Sequence, residues 1–311
     1  MTLHTIEPGQ GTLHGSFSRD LPPALTIDAG DTVRFSTLDA GWGLEPRHVD
    51  TTSRVFAPRV PGRDDGHALC GPVEIRGAQP GMVLEVRIED IRPGVWGWTS
   101  AGTHPNEMTQ KLGVHEAVAI DWMLDSNRML GKDQYGHTVA LRPFMGVMGM
   151  PPAEPGLHST IPPRFCGGNM DCKELVMGST LYLPIAVAGA LFSTGDGHAA
   201  QGDGEVSGVA IECPMERVDL TFFLHNDMSI ATPRANTPLG WVTLGFATDL
   251  HEATVSALGA MLDLLEELHH MPRAEALALA SIVVNLHISQ IVNGGMFGVH
   301  ALLPHYALQV L

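Results

Sequence analysis

The chain has 311 residues, with 34 acids against 18 bases, 16 histidines and a formal net charge of −16. Hydrophobic content of 44% with 17% charge is globular, enough for one large or two medium domains. The acidic balance argues against nucleic acid and anionic membranes as partners, since both select basic patches.

Four cysteines (Cys70, Cys166, Cys172 and Cys213) are too few for a disulfide scaffold in a chain this long. No basic segment followed by an apolar run opens the sequence, and no run of about 18 uncharged apolar residues occurs. These features predict a cytoplasmic protein with reduced thiols. The 35 glycines and 22 prolines exceed average usage and point to many turns between short strands.

Taken in chain order, 23–40 alternates apolar and polar residues on both sides of Ala29-Gly30-Asp31, predicting two half-buried strands about a turn. The segment 72–94 repeats the pattern, with a short strand, a turn at Gly77 to Gly81 and a longer strand. Such period-two alternation suits an antiparallel sandwich or jelly-roll with one wet face. Residues 114–123 form the best strand candidate of the next stretch. The Gly-, Pro- and Met-rich segment 146–170 reads as a long loop. An apolar strand pair is expected over 179–195, and a further strand series over 204–225.

Helical spacing appears late. Asp249 is placed to cap 251–270, where Val255, Leu258, Met261, Leu262, Leu265 and Leu268 recur on one face. Pro272 then opens a second helix predicted over 273–293. The expected fold is mainly β, sandwich- or jelly-roll-like with an additional barrel-like part, and an α+β C-terminal portion with two helices. Soft boundaries divide it into 1–145 and 146–311, interlocked in one unit.

Two polar blocks stand out. GDGHAAQGDGE (195–205) holds Asp196, His198, Gln201, Asp203 and Glu205 among glycines that let backbone approach a ligand, while the acids and histidine are metal-type donors. In extended chain Asp196 and His198 face one side. The alternative is a glycine-rich hairpin with solvated acids. CGGNMDCKEL (166–175) carries Asn169, Asp171 and Glu174, and would meet the first block if the intervening strands are adjacent; otherwise it is a tight turn. Weaker candidates are His67 beside Asp64 and Asp65, Asp39 at a strand end, and the His48-Val49-Asp50 triplet.

GDGHAA fits a dinucleotide fingerprint only if a helix starts within it, which Gly202 and Gly204 oppose. There is no phosphate loop, no H-E-x-x-H helix and no G-x-S-x-G elbow. Cys172 and Lys173, adjacent in sequence, would face opposite ways in a strand and cannot form a dyad alone. Cys166 in its glycine-rich loop is a second candidate thiol.

The segments PPALTIDAGDTVRFSTLDA, GHALCGPVEIRGAQPGMVLEVRIEDI, GGNMDCKELVMGSTLYLPIAVAGALFSTGDGHAAQGDGEV and TPLGWVTLGF resemble the acetamidase/formamidase family over about residues 20–300. The resemblance implies a mainly β homo-oligomeric enzyme that hydrolyses short amides to a carboxylate and ammonia. It also implies a divalent metal, with zinc the leading candidate and calcium the second. Carried onto this sequence, Asp171, Asp196, His198 and Asp39 become metal ligands. Glu205 is then the leading proton carrier, with Asp203, Gln201 and Asn169 as further catalytic residues. Gly167, Gly168 and His67 are assigned to the substrate or oxyanion. The rival readings are a non-catalytic metal- or carbohydrate-binding β-sandwich, and a thiol amidase using Cys166 or Cys172.

Overall fold

The alternating segments do form strands, but neighbours in sequence are dealt to different sheets. In the computed structural model, which describes residues 1–47, 53–103 and 107–308, Leu25–Ile27 pairs in parallel with Leu69–Ile75. Thr32–Thr37, beyond the turn, instead lies between Leu3–Ile6 and Met215–His225. Likewise Val83–Pro93 leaves the sheet of Leu69–Ile75 and pairs with Met215–His225 and Thr180–Pro184. The expected local pairs are therefore corners between layers, not hairpins.

The larger sheet has nine strands, in the order Leu3–Ile6, Thr32–Thr37, Met215–His225, Val83–Pro93, Thr180–Pro184, Arg234–Asn236, Gly240–Ala247, Met296–Pro304 and Asn285–Asn293. A six-stranded sheet runs Gly167–Asn169, Phe144–Gly149, Phe192–His198, Leu69–Ile75 and Leu13–His14, with Leu25–Ile27 added on Leu69–Ile75. Both draw strands from either side of residue 145. Their facing apolar side chains form one core, in which the rings of Phe192 and Phe222 meet edge-on with centroids 5.1 Å apart. Trp96–Ala101, Val118–Asp125, Leu130–Asp133 and Thr138–Ala140 make a smaller antiparallel sheet. The architecture is mainly β, as expected.

Of three helices among the described residues, α1 (Glu107–Lys111) is a single short piece. In α2 (Leu250–His269), Asp249 caps the start by accepting from the N–H groups of His251 and Glu252. Its buried face matches the predicted stripe in part: Met261, Leu262 and Leu265 are buried as expected, Ala253, Ala257 and Leu264 join them, and Val255 and Leu268 are exposed. Close approach explains the shift, since a Cβ on Gly245 would lie 2.3 Å from the Ala253 carbonyl oxygen. The second helix also stops early. Here α3 spans Arg273–Val283, and Asn285–Asn293 is a strand on the edge of the nine-stranded sheet. The β-branched run Ile282-Val283-Val284 marks the change, and the backbone at Val284 is extended. No helix among the described residues is long and apolar enough to cross a membrane.

The supposed loop 146–170 begins inside a fully buried strand of the six-stranded sheet. Phe144–Gly149 is buried throughout and carries Phe192–His198 on one side and Gly167–Asn169 on the other. Its glycines and methionines are core, not linker.

Candidate active site

This central strand brings the two polar blocks together. The strand pair expected over 179–195 cannot do so, because Thr180–Pro184 belongs to the other sheet. Instead the chain ends of Gly167–Asn169 and Phe192–His198 flank Gly146. A Cβ there would lie 2.5 Å from Asp196 Oδ2, 2.7 Å from Asp171 Oδ1 and 2.8 Å from His198 Cε1. Glycine leaves the floor open for three polar groups to converge.

The acids are delivered by strained backbone. Asp171, Asp196 and Glu205 have φ of 45°, 59° and 46°, in the left-handed region that costs an L-residue of order 1–3 kcal/mol. Trp42, on the wall above them, is also left-handed at 65°. Half of the eight such non-glycine residues among those described thus gather at one place. Extended alternation alone would not have brought Asp196 and His198 into this contact.

Neighbouring groups fix the His198 ring. Phe144 packs edge-on against it, with centroids 5.1 Å apart. Gln201 Nε2 donates to the carbonyls of Asp171 at 2.9 Å and Ser289 at 3.3 Å, so its Oε1 is the atom that accepts from His198 Nδ1 at 2.9 Å. The Nδ1 proton is thereby assigned, and Nε2 is left for other chemistry. Nε2 lies 3.3 Å from Asp196 Oδ1 and 3.3 Å from Glu212 Oε1, while Asp171 Oδ1 is 3.6 Å from Nδ1. Asp171 Oδ2 accepts from the Asn293 amide.

Four buried carboxylates around one imidazole cannot all stay charged without a compensating cation or protons. Burial pushes the Asp171 carboxyl up to about 6 against the pull of His198, with Asp196 adding to the rise. Burial likewise lifts Glu212 to about 7 despite His198, and Asp196 reinforces it. Glu205 stands well above its ordinary value through burial and the charge of Asp171. Burial would raise Asp196 too, but His198 and His67 hold it well below the usual range. For His198, burial opposes charge, yet Glu212 and Asp196 raise it well above its ordinary value. Asp171 Oδ1, His198 Nε2, Glu205 Oε2 and Glu212 Oε2 are buried with no hydrogen-bond partner. Unsatisfied buried donors and acceptors of this kind are ones that an ion or an ordered water can satisfy. Asp196, His198 and Glu212 form one trio with candidate ligand atoms within 4.8 Å of one another, and Asp171, His198 and Glu205 form another. The donor set fits a divalent cation.

The cluster opens into a pocket of about 320 Å³. Asp196, Glu205 and Glu212 line its base, with His67, Trp42 and Trp98 on the walls. His67 is held through Thr160 Oγ1, which lies 2.9 Å from both its backbone nitrogen and its Nδ1.

The other expected site residues belong to neither of these two trios. Asp39 accepts from Gly43 N–H and, at 2.8 Å, from the Trp98 indole; both oxygens are engaged, and it supports the wall instead of joining either trio. Asp203 faces away from the buried acids. Its Oδ2 lies 2.9 Å from Lys173 Nζ and 3.0 Å from His287 Nδ1, a salt bridge that anchors the Glu205 loop to the strand Asn285–Asn293. Asp203, His287 and His300 have ligand-like spacing, but the Lys173 ammonium already supplies the cation there. Gln201 orients His198 and does not need to touch a substrate to do so. Asn169 donates to the Ile161 carbonyl at 3.1 Å. Gly167 N–H is given to Arg164 O at 3.1 Å, so it is no free oxyanion donor, and Gly168 lies opposite Met148 in the ladder. Glu174 is ion-paired with Arg142 outside the cluster. The triplet at 48–50 lies outside the described residues.

Both candidate thiols are buried and lie outside the two trios. Cys166 is fully buried, donates to Met150 O at 3.2 Å and is pushed up to about 11 by burial. Burial lifts Cys172 to about 12. Both are protonated thiols at neutral pH.

Sequence reasoning missed Glu212, Asn293 and Gly146. Glu212 carried one signal, as a lone acid in the apolar stretch VAIECP; it is held by bridges to Trp98 and His198 and accepts from Ala210 N–H at 3.0 Å. Asn293 had none, since it reaches the site from a strand mistaken for helix.

With this geometry in view, similarity to known proteins is informative. An acetamidase from Mycolicibacterium smegmatis is 25% identical over 259 residues, covering 62% of this chain and 61% of that protein. A formamidase from Methylophilus methylotrophus is 25% identical over 249 residues, covering 63% and 60%. The matches thus span about 60% of the length of these curated relatives. The crystal structure of an acetamidase from Yersinia enterocolitica superimposes with a TM-score of 0.84 at 26% identity, over 99% of this chain and 93% of that one. The sequence pattern of the Acetamidase/Formamidase family matches residues 4–159 and 153–308. On that match, which runs through both polar blocks, the chain belongs to the acetamidase/formamidase family.

Proposed function

We propose that the chain hydrolyses short linear amides to a carboxylate and ammonia at a divalent cation held in the buried cluster. The observation that carries this reading is the set of four partnerless buried atoms, on Asp171, His198, Glu205 and Glu212, of which the two glutamates line an open pocket. Family membership supports the amide as substrate.

His198 offers Nε2, because Nδ1 is committed to Gln201, and this choice favours Asp196 and Glu212 as its co-ligands. Asp171 completes the negative wall beside them. An imidazole with carboxylates suits zinc first; calcium, which takes oxygen ligands, comes second and would rest on the carboxylates. When bound, such a cation supplies Lewis acidity toward a carbonyl oxygen and makes water a better nucleophile near neutral pH. The remaining work falls to the chain. Glu205, partnerless at Oε2 and raised by burial, is placed to take a proton from the attacking water and return it to the amide nitrogen as ammonia leaves. Gln201 keeps the His198 tautomer, and the tryptophan walls restrict water.

Ammonia release from a panel of formamide, acetamide and propionamide tests the reading. Glu205→Gln should lower kcat by about 10²–10⁴-fold while cation content is retained. A non-catalytic binding protein would hold cation yet release ammonia from no amide, and that result would overturn the proposal.

A further inference from the structure

The wall of the pocket carries a feature that formamide and acetamide do not use. Two arginines line it, each set against a tryptophan whose own indole is pinned. The Arg47 guanidinium carbon lies 3.4 Å from the centroid of Trp98, whose N–H is held by Asp39. That of Arg59 lies 5.5 Å from the centroid of Trp42, whose N–H donates to Gly66 O at 2.8 Å. Arginines elsewhere in this acid-rich chain are commonly ion-paired, as Arg34 is with Asp219, Arg54 with Glu45 and Arg63 with Asp64. Among the described residues, neither Arg47 nor Arg59 has a carboxylate partner. Asp65 shares the rim, but its Oδ1 accepts from Gly62 N–H. A guanidinium stacked on an aromatic face keeps its in-plane N–H donors free, and their fork matches a carboxylate.

We propose, on the basis of the amide-hydrolysis reading, that the preferred substrate is an amide bearing an anionic group at its far end, such as a half-amide of a short dicarboxylic acid, with Arg47 and Arg59 as the specificity residues. The pocket of about 320 Å³ is at the lower end of the about 300–1,000 Å³ usual for ligand pockets, which is more room than a two- or three-carbon amide needs. Charge also sets the direction of binding. The acids at the base, Asp196, Glu205 and Glu212, repel a carboxylate, whereas the rim attracts it. The neutral amide end is therefore the end that reaches Glu205.

The test compares kcat/KM for malonamate with butyramide, and for succinamate with pentanamide, on the cation-loaded protein. The half-amide should be favoured by about 10–100-fold, the range of a hydrogen-bonded charge, and the preference should shrink as salt is raised. Arg47→Gln and Arg59→Gln, both at exposed positions, should each cut the half-amide to neutral-amide ratio by about tenfold. Equal or better use of the neutral amides overturns the inference and leaves the amidase reading standing. An unchanged ratio in both arginine variants likewise overturns the assignment. Absence of ammonia from every amide removes the amidase reading and this inference with it.

Discussion

His198→Ala should lose bound divalent cation and amide turnover together, with kcat/KM falling by about 10³-fold or more. The ring is the one nitrogen donor in both candidate trios and the leading positive partner of the buried acids, with His67 acting beside it on Asp171 and Asp196. Its removal takes a donor atom away from the cation and leaves buried carboxylates that protons can neutralise instead, a state that holds a cation poorly. Asp171→Asn separates charge from shape. It keeps the size of the side chain but removes one negative charge, so cation affinity and turnover should fall with little change in fold. Elemental analysis and ammonia release on the same preparations check both variants. Wild-type cation content and turnover in His198→Ala would remove His198 from the centre.

The second large effect comes from a residue with no functional group. Gly146→Ala puts a methyl within 2.5–2.8 Å of Asp196, Asp171 and His198. Real Cβ atoms do not approach other atoms so closely, so at least one of the three must move. None has slack: His198 is gripped by Phe144 and Gln201, and both aspartates already occupy left-handed backbone. The expected result is a loss of about 1–3 kcal/mol in stability, as for overpacked cores, with cation binding and turnover lost beyond what that destabilisation explains. Gly11→Ala is the control. Nothing lies within 4 Å of its added methyl, and its stability should stay within about 0.5 kcal/mol of the parent. Thermal unfolding with and without added cation distinguishes the two variants. A Gly146→Ala protein with parental cation affinity would show that the floor is not as tightly set as the distances indicate.

How much of this was readable in the sequence follows from which interactions are local. Asp249 declares itself as a cap because its partners are two and three residues away. The glycine–acid blocks around Asp171 and Asp196 are readable for a similar reason, since solvated loops rarely embed acids in a run bounded by apolar strands. Sheet membership is not local. The turn at Gly30 looks the same whether its strands pair with each other or depart to separate layers, and only Met215–His225, far along the chain, decides it. The Phe144–Gly149 strand reads as loop because its glycines match turn chemistry, whereas Gly146 and Gly149 are required by side chains and backbone pressed against them. Asp203 and Glu205 show the limit most clearly. Two residues apart in one motif, they end in different chemistry, one paired with Lys173 and His287, the other buried without a partner. Loop conformation separates them, and composition cannot see it.

The central claim is that this buried cluster is a cation centre that hydrolyses amides. The most direct test measures divalent-metal content and ammonia release on one preparation, before chelation, after it, and after returning a single metal. The account predicts that metal and activity leave together and return together, with zinc tried first and calcium second. Full amide hydrolysis by protein shown to be metal-free would contradict it.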